Sequence, residues 1–297
     1  MIHLRRCRPT LQAVELQQGD ELAFTRQDGG CLRMRLAGTG AKIVSTTLDA
    51  STLPLQEKRG ARTLLSFWCD VECGGRLQRL EREIGTQASF YEPWELDGVR
   101  VWFDACQDVF KILQDTHGGP CAPLAQARFA FQDMSLSIAP EPLHPWCPLP
   151  RGRVAIEDCY NGEDCWLGAY YGASAHAGLD INHPAGTPIW APVEFHAHGY
   201  WNSLELGHNN NRHRGLHHWP DGSTWALRCH HMTRLLVGES QRVGKGQPYA
   251  SGAGVLNGDH PHSHFGFSLR DVYGECHLDP WIVFWQIKQD RLPEPER

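Results

Sequence analysis

One segment of the chain spaces two histidines so that both could serve a metal ion. In H-S-H-F, which begins at His262, the imidazoles of His262 and His264 are two residues apart. On a β-strand they point to the same face. That spacing suits a metal ligand beside a general base. Taken alone, the segment is equally compatible with two solvated or hydrogen-bonded histidines.

An upstream segment supplies the ligands that a metal site would still need. In H-A-G-L-D, His176 and Asp180 are four residues apart, and Gly178 between them adds no side chain on their shared strand face. Two imidazole nitrogens and a carboxylate oxygen are suitable zinc ligands, and three protein ligands leave a fourth position open for water. We therefore predict that His176, Asp180 and His264 bind Zn2+.

Four ordered segments between about Pro148 and Leu269 resemble the signatures of the lysostaphin/LytM-type zinc endopeptidases. H-A-G-L-D-I-N-H-P-A-G-T-P-I-W-A resembles H-x-G-x-D followed by G-T-P-V-x-A. V-G-K-G-Q-P-Y-A-S-G-A-G and H-S-H-F resemble the closing V-x-x-G-Q-x-I-G-x-S-G-x-x-G and H-L-H-F. G-Y-W-N and C-H-H-M-T are similar to G-Y-G-N and Y-x-H-L-S. The chain departs from the pattern at Trp201, Cys229 and Gly266, where the family usually has Gly, Tyr and often Glu.

The resemblance implies roles for further residues. His262 corresponds to the family's general base. His231 precedes Met232 as the family's second catalytic histidine precedes Leu, so it is assigned in preference to His230. Adjacent strand residues face opposite ways, so we expect at most one of these two histidines to reach the metal. Tyr200 and Asn202 resemble substrate-groove residues.

The remaining histidines of the second half carry no such assignment. His183 is predicted at a tolerant loop position. We interpret six others as loop or surface residues, with a second metal site as the alternative: His196, His198, His208, His213, His217 and His218.

Composition limits the classes of protein that the chain can belong to. It has 297 residues, 41% of them hydrophobic, and a formal net charge of -6, which argues against a nucleic-acid binder. No run approaches the ~18 apolar residues of a membrane span. Three early arginines are not followed by the apolar stretch of a secretory signal. The resemblance implies an extracytoplasmic or cell-envelope location, and a cytoplasmic one stays open. The oligomeric state is undetermined.

Cysteine usage leaves the redox state open. Eleven cysteines are an odd number, so at least one is free or paired with another chain. Cys159 and Cys165 flank an N-G-E-D turn and could close a small disulfide loop. The alternative is that most of the cysteines are reduced, buried thiols.

The pattern of strands and helices predicts an α+β N-terminal domain followed by a mainly antiparallel β-sheet metallopeptidase domain. Residues 1–140 combine alternating strand segments with helical spacing at Leu77–Ile84 and Asp104–Thr116. Residues 141–150 belong to a proline-rich connector. Residues 151–297 are predicted as the peptidase domain. Its strands are expected at Thr187–Pro192, Ser203–His208, Thr224–Met232, Gln247–Ser251 and His262–Leu269, with residues 209–223 as a polar loop.

These observations lead to a zinc metalloendopeptidase as the predicted function. By resemblance, its substrate is the peptide part of peptidoglycan, in the stem or the cross-bridge, and a zinc-activated water hydrolyses the bond. One alternative is a non-catalytic relative that binds and activates another wall hydrolase. Another is a zinc peptidase that acts on an intracellular protein.

Overall fold

The computed structural model describes residues 1–49, 60–201, 211–238, 241–253, 255–257 and 260–291, with the backbone alone at 255–257 and 260. The chain divides into two compact units. The first contains Met1–Pro140 and Glu163–Ala177, and the second contains Glu141–Gly162 and Gly178–Arg297.

The first unit is built mainly from strands. They are β1 (Ile2–Arg6), β2 (Gln12–Leu16), β3 (Glu21–Thr25), β4 (Cys31–Thr46), β5 (Thr63–Cys73), β6 (Arg76–Ile84), β7 (Trp94–Leu96), β8 (Val99–Cys106), β9 (Asp115–His117), β10 (Ala127–Asp133), β11 (Ala169–Tyr170) and β12 (Ser174–His176). A short helix, α1 (Gln107–Ile112), follows β8, and a 3-10 turn spans Gln87–Ser89.

Two sheets form the body of this unit. One has the order β1-β3-β4-β5-β6 and the other β2-β10-β8-β7, and a small third sheet has the order β11-β12-β9. Alternation drives their packing: Phe67, Cys69 and Val71 on β5 are buried on one face, as the sequence predicts. Aromatic contacts such as Phe67–Phe103, with ring centroids 5.0 Å apart, fill the interior.

The predicted helices of this unit are largely wrong. Leu77–Ile84 lies in strand β6, whose inward residues are Leu80, Arg82 and Ile84, whereas Leu77 is exposed. Arg82 is buried because its guanidinium donates to the carbonyl of Asp104 at 3.0 Å and lies over the ring of Tyr91. A cation therefore occupies a core position of β6, so the alternation of polar and apolar residues that marks a strand cannot be recognised in the sequence. Of Asp104–Thr116, the helix occupies the middle six residues only.

The second unit contains the remaining strands and a C-terminal helix. They are β13 (Leu179–Asn182), β14 (Pro188–Trp190), β15 (Ala197–Trp201), β16 (Asn211–His218), β17 (Thr224–Met232), β18 (Arg234–Leu235), β19 (Pro248–Ser251), β20 (Val255–Asn257), β21 (His260–Asp271), β22 (Gly274–Leu278) and α2 (Trp281–Gln289). Two 3-10 turns lie at Ile156–Asp158 and Tyr160–Gly162.

A seven-stranded antiparallel sheet dominates this unit. Its path is β13-β21-β17-β16-β15, and β20 and β22 also pair with β21. A second sheet has the order β14-β19-β18. The predicted antiparallel arrangement of this half is therefore present, and strand Thr224–Met232 has the predicted bounds. The strand predicted at Ser203–His208 lies outside the described residues.

The core of the second unit explains why β21 is held so firmly at its centre. Trp146 packs on Phe265 and Phe284, with ring centroids 5.0 Å and 5.7 Å away. Trp146 comes from the segment 141–150 that the sequence predicts as a connector. Helix α2 is buried from Trp281 to Ile287. Apolar packing on one face of β21 thus fixes which residues its other face presents.

One further sequence prediction about this half is wrong, and the alternative left open for the cysteines is decided in favour of reduced thiols. Residues 209–223 were expected to form a loop, but Asn211–His218 is strand β16, and it buries Asn211, His213 and Gly215 at alternate positions. The proposed disulfide between Cys159 and Cys165 is absent, because all eleven cysteines are free thiols. Burial raises the pKa of several of them, Cys229 among them, and so keeps these thiols protonated. No helix among the described residues is both long and apolar enough to span a membrane.

Candidate metal centre

Strand register brings the predicted metal-binding residues of the second unit together. Asp180 on β13 lies opposite His264 on β21, and Asn182 lies opposite His262. On the other side of β21, His230 of β17 lies opposite His264. Because Phe265 and Phe267 are buried in the core, alternation turns His262 and His264 to the opposite face.

The carboxylate of Asp180 lies between the two histidines of β21. Its Oδ1 is 2.8 Å from Nδ1 of His264, and its Oδ2 is 3.5 Å from Nε2 of His262. All three side chains are buried, at 5% exposure or less. One buried carboxylate therefore contacts both imidazoles of β21.

Two groups of three potential ligand atoms lie within 4.8 Å of one another in the part of the chain that the structure describes. One contains His176, Asp180 and His264, and the other contains Asp180, His231 and His262. His176 ends β12, where its backbone N–H donates to the carbonyl of Gly168 at 2.9 Å. Each group offers two imidazoles and one carboxylate, which is a donor set that fits a zinc ion.

Gly178 marks a close approach between β13 and β21. A Cβ atom added there would lie 2.3 Å from Cε1 and 2.5 Å from Nε2 of His264, and 2.6 Å from the carbonyl oxygen of Phe265. Only a residue without a side chain fits this position. The sequence analysis explains Gly178 by the space that a bound ion needs. The structure shows that a side chain there would clash with His264.

Both histidines of the C-H-H-M-T segment lie beside the candidate site. The ring of His230 stacks on that of His264 at 4.8 Å, and the ring of His231 lies 4.7 Å from that of His262. His231 has a φ of 61°, a left-handed conformation that is uncommon outside glycine, so strand alternation stops at this residue. Alternation therefore does not separate the two rings as the sequence predicts. Burial, followed by the nearby His264 and His231, lowers the pKa of His230.

Sequence reasoning missed Tyr160. This buried tyrosine stacks on His262 with ring centroids 4.2 Å apart and an interplanar angle of 27°. The contact fixes the plane of the imidazole that the sequence predicts as general base. No periodicity or family signature singles out Tyr160, which belongs to a short 3-10 turn.

His183 was also misjudged, since it is buried rather than in a tolerant loop. Its Nε2 lies 2.9 Å from Oγ of Ser263, and that oxygen also accepts the backbone N–H of Ala253 at 2.9 Å. Burial, with His262 as a second cause, lowers the pKa of His183 to about 4. Ser263 stands between His262 and His264, so this hydrogen-bonded cluster braces the back of the strand that carries them.

Of the two predicted substrate-groove residues, the structure describes only Tyr200. Asn202 lies outside the described residues. Tyr200 is half-buried on β15 and lies opposite His213 on β16, which in turn lies opposite Cys229. Because Cys229 lies opposite Phe265, this cross-strand row belongs to the face of Phe265 rather than to that of His264.

Among the other described histidines of the second unit, one differs from the rest in its burial. His213 is fully buried against the rings of Tyr249 and Phe195, contrary to the predicted loop or surface position. His196, His198 and His217 are half-buried and His218 is exposed, while His208 lies outside the described residues. Neither of the two metal-ligand groups found among the described residues includes any of them.

No model of a known protein family matches the chain, and no curated protein matches it. The chain is similar to solved structures of lysostaphin and of M23 peptidases. The antimicrobial peptidase lysostaphin from Staphylococcus simulans is 20% identical, with a TM-score of 0.31, and the match covers 48% of this chain and 49% of that one.

Two other solved structures match along more of the chain. A putative peptidase M23 from Pseudomonas aeruginosa is 15% identical, with a TM-score of 0.34 and 94% of each chain covered. A zinc-containing peptidase from Vibrio cholerae is 15% identical, with a TM-score of 0.33, and the match covers 92% of this chain and 78% of that one.

Proposed function

We propose that the protein is a zinc metalloendopeptidase that hydrolyses peptide bonds in peptidoglycan stems or cross-bridges. The observation that supports this most directly is the carboxylate of Asp180, buried between His264 and His262 at 2.8 Å and 3.5 Å. A buried cluster of this composition is costly without a cation to balance it. In this proposal His176, Asp180 and His264 bind the ion.

Each residue would then have a distinct task. A bound zinc ion would polarise the attacking water and lower its pKa toward neutrality. His262 would take the proton of that water. Its ring stacks on that of Tyr160, and this contact would orient it. His231, with its ring 4.7 Å from that of His262, would orient the water or stabilise the oxyanion of the tetrahedral intermediate.

The substrate class and the cellular place follow from the motif resemblance. The family's substrates are peptides of the bacterial cell wall, and lysostaphin, one of the structures matched above, is described as an antimicrobial peptidase. Under this proposal the protein acts at the cell envelope.

The test combines metal analysis with a digest of intact peptidoglycan that is followed by mass spectrometry. We expect about one zinc ion per chain and newly freed peptide amines that identify the cleaved bond. The matched control is His264→Ala, which should yield neither zinc nor products. Zinc without products from any peptidoglycan would contradict the peptidase proposal and favour a wall-binding module, and absence of zinc would contradict its mechanism.

A further inference from the structure

The face of the sheet that carries His264 also carries a row of arginines. Arg214 of β16 lies opposite Arg228 of β17, and Arg228 lies opposite Gly266 of β21. The neighbouring row on the same face contains His230, two residues after Arg228, and His264, two residues before Gly266. Two residues of strand span about 7 Å. The guanidinium row is therefore about one pleat period from the candidate metal centre.

The positive charge of this row exceeds the negative charge that contacts it. Glu275 accepts from Nε and Nη2 of Arg270 at 3.1 Å and 2.5 Å, and from the hydroxyl of Ser268 at 3.0 Å. The guanidiniums of Arg214 and Arg228 lie further from the same carboxylate, at 3.5 Å and 3.6 Å. Among the described residues, the ion pairs of this row thus set one carboxylate against three guanidiniums, and the shortest contacts belong to Arg270.

Arg228 is oriented by hydrogen bonds and remains partly exposed. Its Nη1 lies 3.1 Å from Nδ1 of His277, and its Nη2 donates to Oγ of Ser268 at 3.3 Å. The side chains of Arg228 and Arg214 are 22% and 34% exposed. Burial lowers the pKa of Arg228, and the like charge of Arg214 acts in the same direction. An anion bound here would relieve that repulsion.

Gly266 on β21 presents no side chain to Arg228. A Cβ atom at this position would meet the side chain of Arg228 only at 3.5 Å or more. The glycine therefore contributes no group that would cover or neutralise the guanidinium. It stands where the resembling family often has glutamate, so the chain lacks an acidic side chain at a point where one would cancel the charge.

We propose that Arg214 and Arg228 bind a carboxylate of the peptide substrate, about two residues from the scissile bond. The substrate would then be an acidic peptide, such as a stem peptide with a free carboxyl group, in preference to a neutral all-glycine bridge. Arginine suits this task because its planar fork matches a carboxylate and its charge strengthens the hydrogen bonds. The inference rests on the proposed function, since it assumes that a peptide lies across this face.

The test measures binding rather than turnover. The full chain with His262→Ala, loaded with zinc, is titrated calorimetrically with blocked glycine hexapeptides that carry one Glu, or one Gln, at each position in turn. At one or two positions we expect the Glu peptide to bind about tenfold more tightly than its Gln counterpart, the size of one charged hydrogen bond. Equal affinity for every Glu and Gln pair, including no binding of either, would overturn the proposal.

Variants assign the effect to the row. Arg228→Gln and the more exposed Arg214→Gln should each abolish most of the preference for Glu, and Arg228→Lys should retain part of it. Arg242→Gln is the matched control, because Arg242 pairs with Glu194 at 3.5 Å and takes no part in the row. If Arg242→Gln alone removed the preference, the assignment would be wrong. Failure of the unmutated chain to cleave any peptide would count against the peptidase proposal, and the binding result would still decide this one.

Discussion

At the scale of single residues, the proposed function assigns metal binding and proton transfer to different histidines of β21. His264 shares a ligand group with His176 and His262 shares one with His231, and Asp180 belongs to both groups. We expect Asp180→Ala and His264→Ala to lose zinc. His262→Ala should keep it and lose about 100-fold or more in turnover, the usual contribution of a general base. Metal content and peptide cleavage, measured on each purified variant, provide the comparison.

The control for this series is His218→Ala, because His218 is exposed and belongs to neither ligand group. It should retain both zinc and activity. Loss of zinc from His262→Ala would make His262 a ligand and reverse the assignment of the two histidines of β21.

His213 is expected to make the protein sensitive to acid. Burial, with nearby His198, lowers its pKa from 6.5 to about 3, so the folded state resists protonation while the unfolded chain accepts it. Stability therefore falls as the pH drops below 6.5, and at pH 4.5 the loss from this residue is about 2–3 kcal/mol. His213→Phe keeps a ring against Tyr249 and should shrink the difference in unfolding free energy between pH 7.5 and 4.5 by that amount.

Urea unfolding at the two pH values measures this effect. His218→Phe is the matched control, because His218 is exposed and its replacement should leave the pH difference unchanged. An undiminished pH difference in His213→Phe would show that the buried imidazole is not responsible.

The candidate site was predictable from sequence only where residue type and spacing carry the information. The spacing of His262 and His264 indicates a shared face, and the structure pairs His264 with Asp180. Tyr160 and His183 were not predictable, because their roles arise from a stacking contact and a hydrogen bond across 80 or more residues. The positions of His230 and His231 depend on one left-handed residue, which alternation rules do not anticipate.

At the scale of elements, the pairing of β13 with β21 depends on the missing side chain of Gly178. Gly178→Ala would force a Cβ atom to within 2.6 Å of a ring and a backbone carbonyl, so His264 or the strand must shift. We expect a loss of about 1–3 kcal/mol in stability and weaker zinc binding. Thermal unfolding with and without zinc tests both effects.

Gly238→Ala is the matched control, because a Cβ atom there meets its neighbours only at 3.7 Å and beyond. It should change neither quantity. A Gly178→Ala protein with unaltered zinc affinity would mean that the close approach does not position His264.

Elements were predictable where polar and apolar residues alternate cleanly. Strands β5 and β17 follow that rule, with residues such as Phe67 and Leu227 in the interior. Strands β6 and β16 break it, because they bury Arg82 and His213, two residues that a pattern of apolar side chains treats as outward-facing. Cation–aromatic contact and aromatic stacking compensate for this burial, and neither can be recognised before the distant partners are known.

At the scale of the whole molecule, the chain crosses from one unit to the other more often than a two-domain sequence suggests. Residues 163–177 belong to the first unit, although they lie beyond the predicted connector. Their contacts show why. The indole N–H of Trp166 donates to the carbonyl of Asp104 at 3.3 Å, and Gly172 accepts from the hydroxyl of Thr63 at 2.8 Å. Strand β12 pairs with β9.

These contacts predict the outcome of removing residues 1–140. The fragment 141–297 would expose Trp166, Leu167 and Ala169, which are almost fully buried in the chain. Burying one tryptophan or leucine contributes about 2–3 kcal/mol. It would also remove β9, the partner of the strand that ends at His176. We therefore expect a fragment that aggregates or binds a hydrophobic dye, and that holds zinc more weakly than the full chain.

The matched control is the same fragment produced together with residues 1–140 as a separate chain. Association should restore solubility and zinc content, because every contact of residues 163–177 becomes available again. A lone fragment with the melting temperature and zinc content of the full chain would contradict the prediction. It would mean that residues 163–177 hold His176 in place without the first unit, and that residues 1–140 are dispensable for the candidate centre.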